Sequence, residues 1–106
     1  MKQLESREQF EQLTNGTGTV FMFSAGWCPD CVVIEPDLPA IEKEFPEFDF
    51  YKVNRDEFIE LCQELEIMGI PSFVAYKNGV EVNRFVNKNR KTKEEIVSFL
   101  REAKSK

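Results

Sequence analysis

Two cysteines three positions apart, Cys28 and Cys31, follow an apolar run and stand where a helix should begin. On a helix these positions share a face, with Cα atoms roughly 5 to 6 Å apart, inside the range a disulfide bridges. The pair can therefore close and open a bond with little backbone movement. As a staple it would do little, because the entropy a cross-link removes from the unfolded chain grows with the loop it closes, and this loop is nearly the shortest available. Redox exchange and metal binding are the chemistries this spacing suits. Structural zinc takes four ligands from Cys and His. The chain has three cysteines and no histidine, so Cys62 adds only a third sulfur and no metal is expected. The missing imidazole also excludes a Cys-His hydrolase, which needs one to activate its thiol. Dithiol exchange is left, with the cysteine pair itself as the only redox group.

The thiolate is the nucleophile in such exchange, so the useful cysteine is the one whose anion is stabilised. Cys28, at the helix start, faces unsatisfied backbone N–H groups and the positive dipole end, which favour its anion by ~0.3 to 2 kcal/mol. Asp30 opposes this: a carboxylate ~6 to 8 Å away at an effective dielectric of about 40 to 80 disfavours the anion by ~0.5 to 1.4 kcal/mol. The two effects are comparable and their sum stays open. Destabilising the thiolate makes the disulfide harder to reduce, so Asp30 pushes the pair toward a reductant. Pro29 suits the first helical position. Trp27 either packs against a substrate chain or covers the core beneath the site. The expected reaction is attack of Cys28 on a substrate disulfide, then resolution by Cys31, with Asp30, water or Lys52 taking the Cys31 proton.

The elements that must position the pair are legible in outline. At 106 residues, 42% hydrophobic with ten phenylalanines, the chain is expected to form one domain with a packed core, spanning 1–106. A helix from Ser6 to just before Asn15, opened by a capping box with Gln9, precedes the apolar strand Thr19 to Ser24. After the dithiol a long helix through about Phe45 should be kinked by Pro36 and Pro39. A strand from Phe48 to Asn54 then implies a right-handed parallel crossover. Asp56 is expected to cap a short helix through about Leu65, with Cys62 a small core residue on it. Strands Ser72 to Lys77 and Val80 to Val86 flank the hairpin signal Asn78-Gly79. Thr92 and Glu95 box the start of the last helix, and Arg101, Lys104 and Lys106 complement its dipole. A further strand at the first residues is possible.

The formal charge of −5 argues against a nucleic-acid partner, and the cluster Lys88, Arg90, Lys91 and Lys93 reads as a solvated loop. No apolar stretch follows the first charge at the N-terminus, and no run approaches the ~18 residues of a membrane span, so a cytoplasmic monomer is expected.

Trp27-Cys28-x-x-Cys31, Pro36, Lys52, Gly69-Ile70-Pro71 and Lys77-Asn78-Gly79 fall together at a spacing that resembles the thioredoxin family over nearly the whole chain. The resemblance implies an α/β thioredoxin fold, a central mixed sheet of four to five strands flanked by helices on both faces. It further implies that Ile70-Pro71 is cis, which only ~5 to 6% of X-Pro bonds are, that Ile70 offers its backbone to substrate, and that Pro71 keeps metal from the sulfurs. An external reductant such as a thioredoxin reductase would restore the pair. The chain departs from the pattern at four places. The family's buried aspartate falls at Met22 while its lysine companion stays as Lys52, which leaves Cys31 without its usual base. A common tryptophan is Ser24, a groove glycine is Asn87, and the usual Gly-Pro between the cysteines is Pro29-Asp30, as in thioredoxin-related proteins carrying Trp-Cys-Pro-Asp-Cys. These changes imply a reductase of a restricted set of protein or small-molecule disulfides, with a binding or adaptor module of little turnover as the alternative.

Overall fold

The computed structural model describes residues 1–106. In chain order the elements are β1 (Lys2–Gln3), α1 (Arg7–Thr14), β2 (Thr19–Ser24), α2 (Pro29–Ile34), a 3-10 turn (Glu35–Asp37), α3 (Leu38–Glu44), β3 (Asp49–Asn54), α4 (Ile59–Glu64), β4 (Ser72–Lys77), β5 (Val80–Phe85) and α5 (Lys93–Lys104). The strands form one sheet in the order β1-β3-β2-β4-β5. β3 runs parallel to β1 and β2, while β4 is antiparallel to β2 and β5. The fold is thus the expected mixed sheet, with the short N-terminal strand present as its fifth member.

Every residue of β2 is buried, as its continuous apolar run and central place require. Successive side chains point to opposite faces and build two cores. Val20 and Met22 join Ile34, Leu38, Ile41, Phe73, Ile96 and Leu100 beneath α2, α3 and α5. Phe21 and Phe23 join Phe10, Val53, Leu61 and Cys62 beneath α1 and α4. β2 is therefore a rigid rail whose C-terminal end delivers the dithiol.

Local sequence explains most boundaries. Asn78 and Gly79 take φ of 52° and 84°, the left-handed pair a tight hairpin needs. Their N–H groups bond Gly16 O and Thr14 O at 2.8 Å, which docks the hairpin tip on the end of α1. The box at Thr92 and Glu95 is complete. That at Ser6 is half formed: Ser6 Oγ accepts the Gln9 N–H at 3.1 Å, but Gln9 Oε1 takes the N–H of Glu5. Lys106 lies past α5 and reaches Asn83 Oδ1 at 3.4 Å, so Arg101 and Lys104 are the basic residues of the last turn. The long helix from Pro29 divides into α2, the 3-10 turn and α3, because Pro36 and Pro39 each lack the N–H that would continue the ladder. Asp56 caps nothing. α4 begins at Ile59 behind Phe58, and the preceding turn is held by Asn54 Oδ1, which accepts the N–H groups of Asp56 and Glu57 at 2.9 and 3.3 Å. A side chain two residues earlier has taken the turn-forming role.

Candidate active site

Cys28 is the N-cap of α2, with φ −85° and ψ 111°, and Pro29 follows at the first helical position. Its Sγ accepts the N–H of Cys31 at 3.2 Å, one of the donors that a helix start leaves free. Both cysteines are free thiols, and their Sγ atoms lie 2.6 Å apart. Cys28 Sγ also points at the carbonyl of Ile70, 3.8 Å away, and the Ile70-Pro71 bond is cis. Ala25, Cys28, Cys31 and the edge of Ile70 form a small apolar cluster of their own. Burial pushes the Cys31 thiol up to about 12, the hydrogen bond to Cys28 adds to this, and a backbone contact from Ala25 opposes it. Cys31 thus keeps its proton unless something nearby takes it.

Trp27 is 60% exposed, so it does not cover the core. Its indole N–H donates to Asp56 Oδ2 at 2.8 Å and the Arg55 guanidinium stands 5.8 Å from its ring, which hold the ring against the turn after β3. Asp30 is not a lone charge: Arg90 Nε donates to its Oδ1 at 2.9 Å. The pair crosses from α2 to the loop before α5 and offsets the repulsion Asp30 exerts on a thiolate. Lys52 sits opposite Met22 in the strand register, and with no acid there its ammonium bonds Glu35 instead. Glu35, on the turn after α2, was not among the sequence candidates, although its place four residues after Cys31 puts it on the same helical face.

The basic segment also differs from a solvated loop. Lys91 is 2% exposed, and its Nζ donates to Asn87 O, Asn87 Oδ1 and Asn89 O at 3.2, 2.9 and 3.0 Å. It stands 5.0 Å from the centroid of the Phe85 ring. Burial pulls its pKa down while Glu95, Cys31, Asp30 and Cys28 draw it up. The loop so pinned lies over Gly69: a Cβ built there would meet the Asn87 carbonyl and come 2.7 Å from Lys88 Cα. Asn87 thus borders the segment that carries Ile70 and Pro71. No sequence signal pairs a lysine with its own loop or Arg90 with Asp30, sixty residues away.

Cys62 is 4% exposed in the second core, where burial pushes its thiol up and Arg55 draws it down. It is remote from the dithiol chemistry. No group of three or more His, Cys, Asp or Glu side chains is placed to hold a metal ion, and no helix is long and apolar enough to cross a membrane.

The Thioredoxin family model matches residues 1–102. Thioredoxin of Oryctolagus cuniculus is 30% identical over 103 residues, covering 94% of this chain and 98% of that protein. Thioredoxin H2 of Arabidopsis thaliana is 37% identical over 79 residues, 74% of this chain and 59% of its own longer length. Among solved structures, thioredoxin from Trypanosoma brucei brucei superposes with a TM-score of 0.86 at 27% identity, covering 98% of this chain and 90% of that one. A free dithiol at a helix start, a cis proline across from it and the mixed sheet beneath agree with these likenesses: the chain belongs to the thioredoxin family and is a thiol-disulfide oxidoreductase.

Proposed function

We propose that the protein is a reductase of a restricted set of protein or small-molecule disulfides, with Cys28 as nucleophile and Cys31 as resolving thiol. The observation that carries this reading is the asymmetry of the pair: Cys28 Sγ accepts the N–H of Cys31 at the start of α2, while burial pushes the Cys31 thiol up to about 12. The thiolate that attacks is thus Cys28. It displaces one substrate sulfur as a thiolate and forms a mixed disulfide. Cys31, once deprotonated, attacks Cys28 Sγ, the second substrate sulfur leaves, and the protein holds a disulfide after giving two electrons.

Trp27, held by Asp56, and Ile70 flank Cys28 and would seat the substrate chain, with the backbone of Ile70 offering an added strand and cis Pro71 standing across from the sulfurs. Pro29 sets the helix start, and the push of Asp30 toward a reductant is offset by its ion pair with Arg90. The restriction in substrate range rests on the loop of Asn87 to Lys91, which covers Gly69 and narrows the approach to Ile70. Recycling by an external reductant such as a thioredoxin reductase, action as a single-domain monomer, no cofactor beyond the disulfide and a cytoplasmic location complete the proposal. A second reading, a docking module with little turnover, is favoured by the 5% exposure of Cys28.

A Cys31→Ser protein incubated in lysate and read by mass spectrometry separates them. A reductase of narrow range accumulates a few mixed disulfides through Cys28. A general reductase gives many, and a docking module gives none.

A further inference from the structure

A hollow of about 240 Å³ lies behind the dithiol, bordered by Cys31, Glu35, Lys52, Ser24, Asn54 and Gln3. It touches Cys31, whereas Cys28 and Ile70 do not line it. Ala25 and Val32 supply apolar wall, and the polar groups are two hydroxyl- or amide-bearing strand ends, one amide from β1, one ammonium and one carboxylate. A water takes ~30 Å³ and needs two to four polar partners, so the hollow has both the room and the groups to hold several. Its only acid is Glu35, ion-paired to Lys52. Met22, fully buried and opposite Lys52 in the sheet, gives that ammonium no acid on the strand side.

We infer that Glu35, held by Lys52, is the proton acceptor for Cys31, working across water in this hollow. The inference rests on the reading of Cys31 as the resolving thiol. When Cys28 is in mixed disulfide, the Cys31 S–H proton passes through water to the Glu35 carboxylate. The Cys31 thiolate attacks Cys28 Sγ, the bond between Cys28 and the substrate sulfur breaks, and the departing thiolate takes up a proton from solvent. Glu35 then returns its own to the hollow. No electrons beyond the two already in the dithiol are needed.

Four features favour Glu35 over the other groups near the sulfurs. Asp30 lies outside the hollow, whereas Glu35 lines it beside Cys31. Lys52 is an ammonium paired to Glu35 and has no lone pair to offer. Lys91 faces the cysteines from the loop before α5, but its three donors are spent on Asn87 and Asn89. Glu35 also keeps a 43% exposed side chain, which gives the accepted proton a way out. The charges that bear on the pair are therefore Lys52 on Glu35, and Cys28, Asp30 and Lys91 on Cys31.

The test is a stopped-flow single turnover of the reduced full chain with dithiobis(nitrobenzoate), which releases one coloured thiolate when Cys28 attacks and a second when Cys31 resolves. Glu35→Gln keeps the side-chain shape and removes the basic oxygen. The second release should slow roughly tenfold to a hundredfold at neutral pH, climb with hydroxide concentration, and meet the wild-type rate at high pH, while the first release is unchanged. A second release whose rate and pH profile superimpose on wild type overturns the inference. A wild-type chain that gives no first release overturns the underlying reading instead.

Discussion

Lys91→Met removes a buried ammonium while keeping most of the stem. Lys91 is 2% exposed, and its three hydrogen bonds tie Asn87 to Asn89 across a single loop. Bonds to a charged donor contribute ~1.5 to 3 kcal/mol each and the cation over Phe85 ~0.5 to 2 kcal/mol. Against this stands the cost of desolvating the ammonium, several kcal/mol, whose sign is visible in the lowered pKa of Lys91. The lowered pKa shows that cost prevailing, so what Lys91→Met loses is the donor for the Asn87 and Asn89 oxygens, about 2 kcal/mol for buried acceptors left unmet. For a chain of this size that is a fall in melting temperature of roughly 8 to 16 °C. The reduced protein is melted by circular dichroism, and hydrogen exchange is followed at residues 87–91. Because the Asn87 carbonyl and Lys88 Cα crowd Gly69, a loosened loop also opens the approach to Ile70. Bulky disulfides should then react faster than in wild type. A melting temperature within about 2 °C of wild type, together with unaltered exchange in the loop, would refute the reasoning that the ammonium pins it.

Gly69→Ala probes the same contact from the other side: its Cβ would come 2.7 Å from Lys88 Cα, so chemical denaturation should show a loss of ~1 to 3 kcal/mol, and no loss would mean the loop yields freely. The reduced protein should lose stability as pH rises from about 9 to about 12, since Cys31 stays protonated in the fold over the range where the unfolded thiol ionises. Cys31 adds at most about 1.4 kcal/mol per pH unit to this slope, so reduced Cys31→Ala should fall less steeply by up to that amount, while Cys62 and Tyr76, whose pKa values burial also raises, contribute in both proteins. Met22→Asp buries an acid at a fully enclosed site among Ile34, Leu38 and Phe73, and denaturation should report a cost of ~2 to 4 kcal/mol. With Glu35 serving Cys31, the second coloured release should not gain more than about twofold in rate from Met22→Asp.

Much of this architecture is legible in local sequence because the deciding forces are local. The apolar run of β2, the left-handed pair Asn78-Gly79 and the box of Thr92 with Glu95 each settle their own element within a few residues. The dithiol and Ile70-Pro71 are legible through the resemblance, which covers nearly the whole chain. What escapes the sequence is pairing across distance. Nothing near Asp56 says that its carboxylate will serve Trp27 rather than cap α4. Nothing near Arg90 says that it will reach Asp30, and a buried lysine bonded to its own loop looks in sequence like any solvated basic residue. The loss of an acid at Met22 is visible, yet its replacement arrives from another element, at Glu35, where only the i to i+4 relation to Cys31 hints at it. These are the contacts that set the site apart from a general dithiol.

The central claim, that Cys28 attacks and Cys31 resolves, is tested most directly by intact mass. Reduced wild type, Cys28→Ser and Cys31→Ser are each mixed with a disulfide-linked peptide and weighed after quenching in acid. Wild type should lose about 2 Da as it closes its disulfide, Cys31→Ser should gain one peptide, and Cys28→Ser should keep its mass. A peptide adduct on Cys28→Ser equal to that on Cys31→Ser would contradict the account.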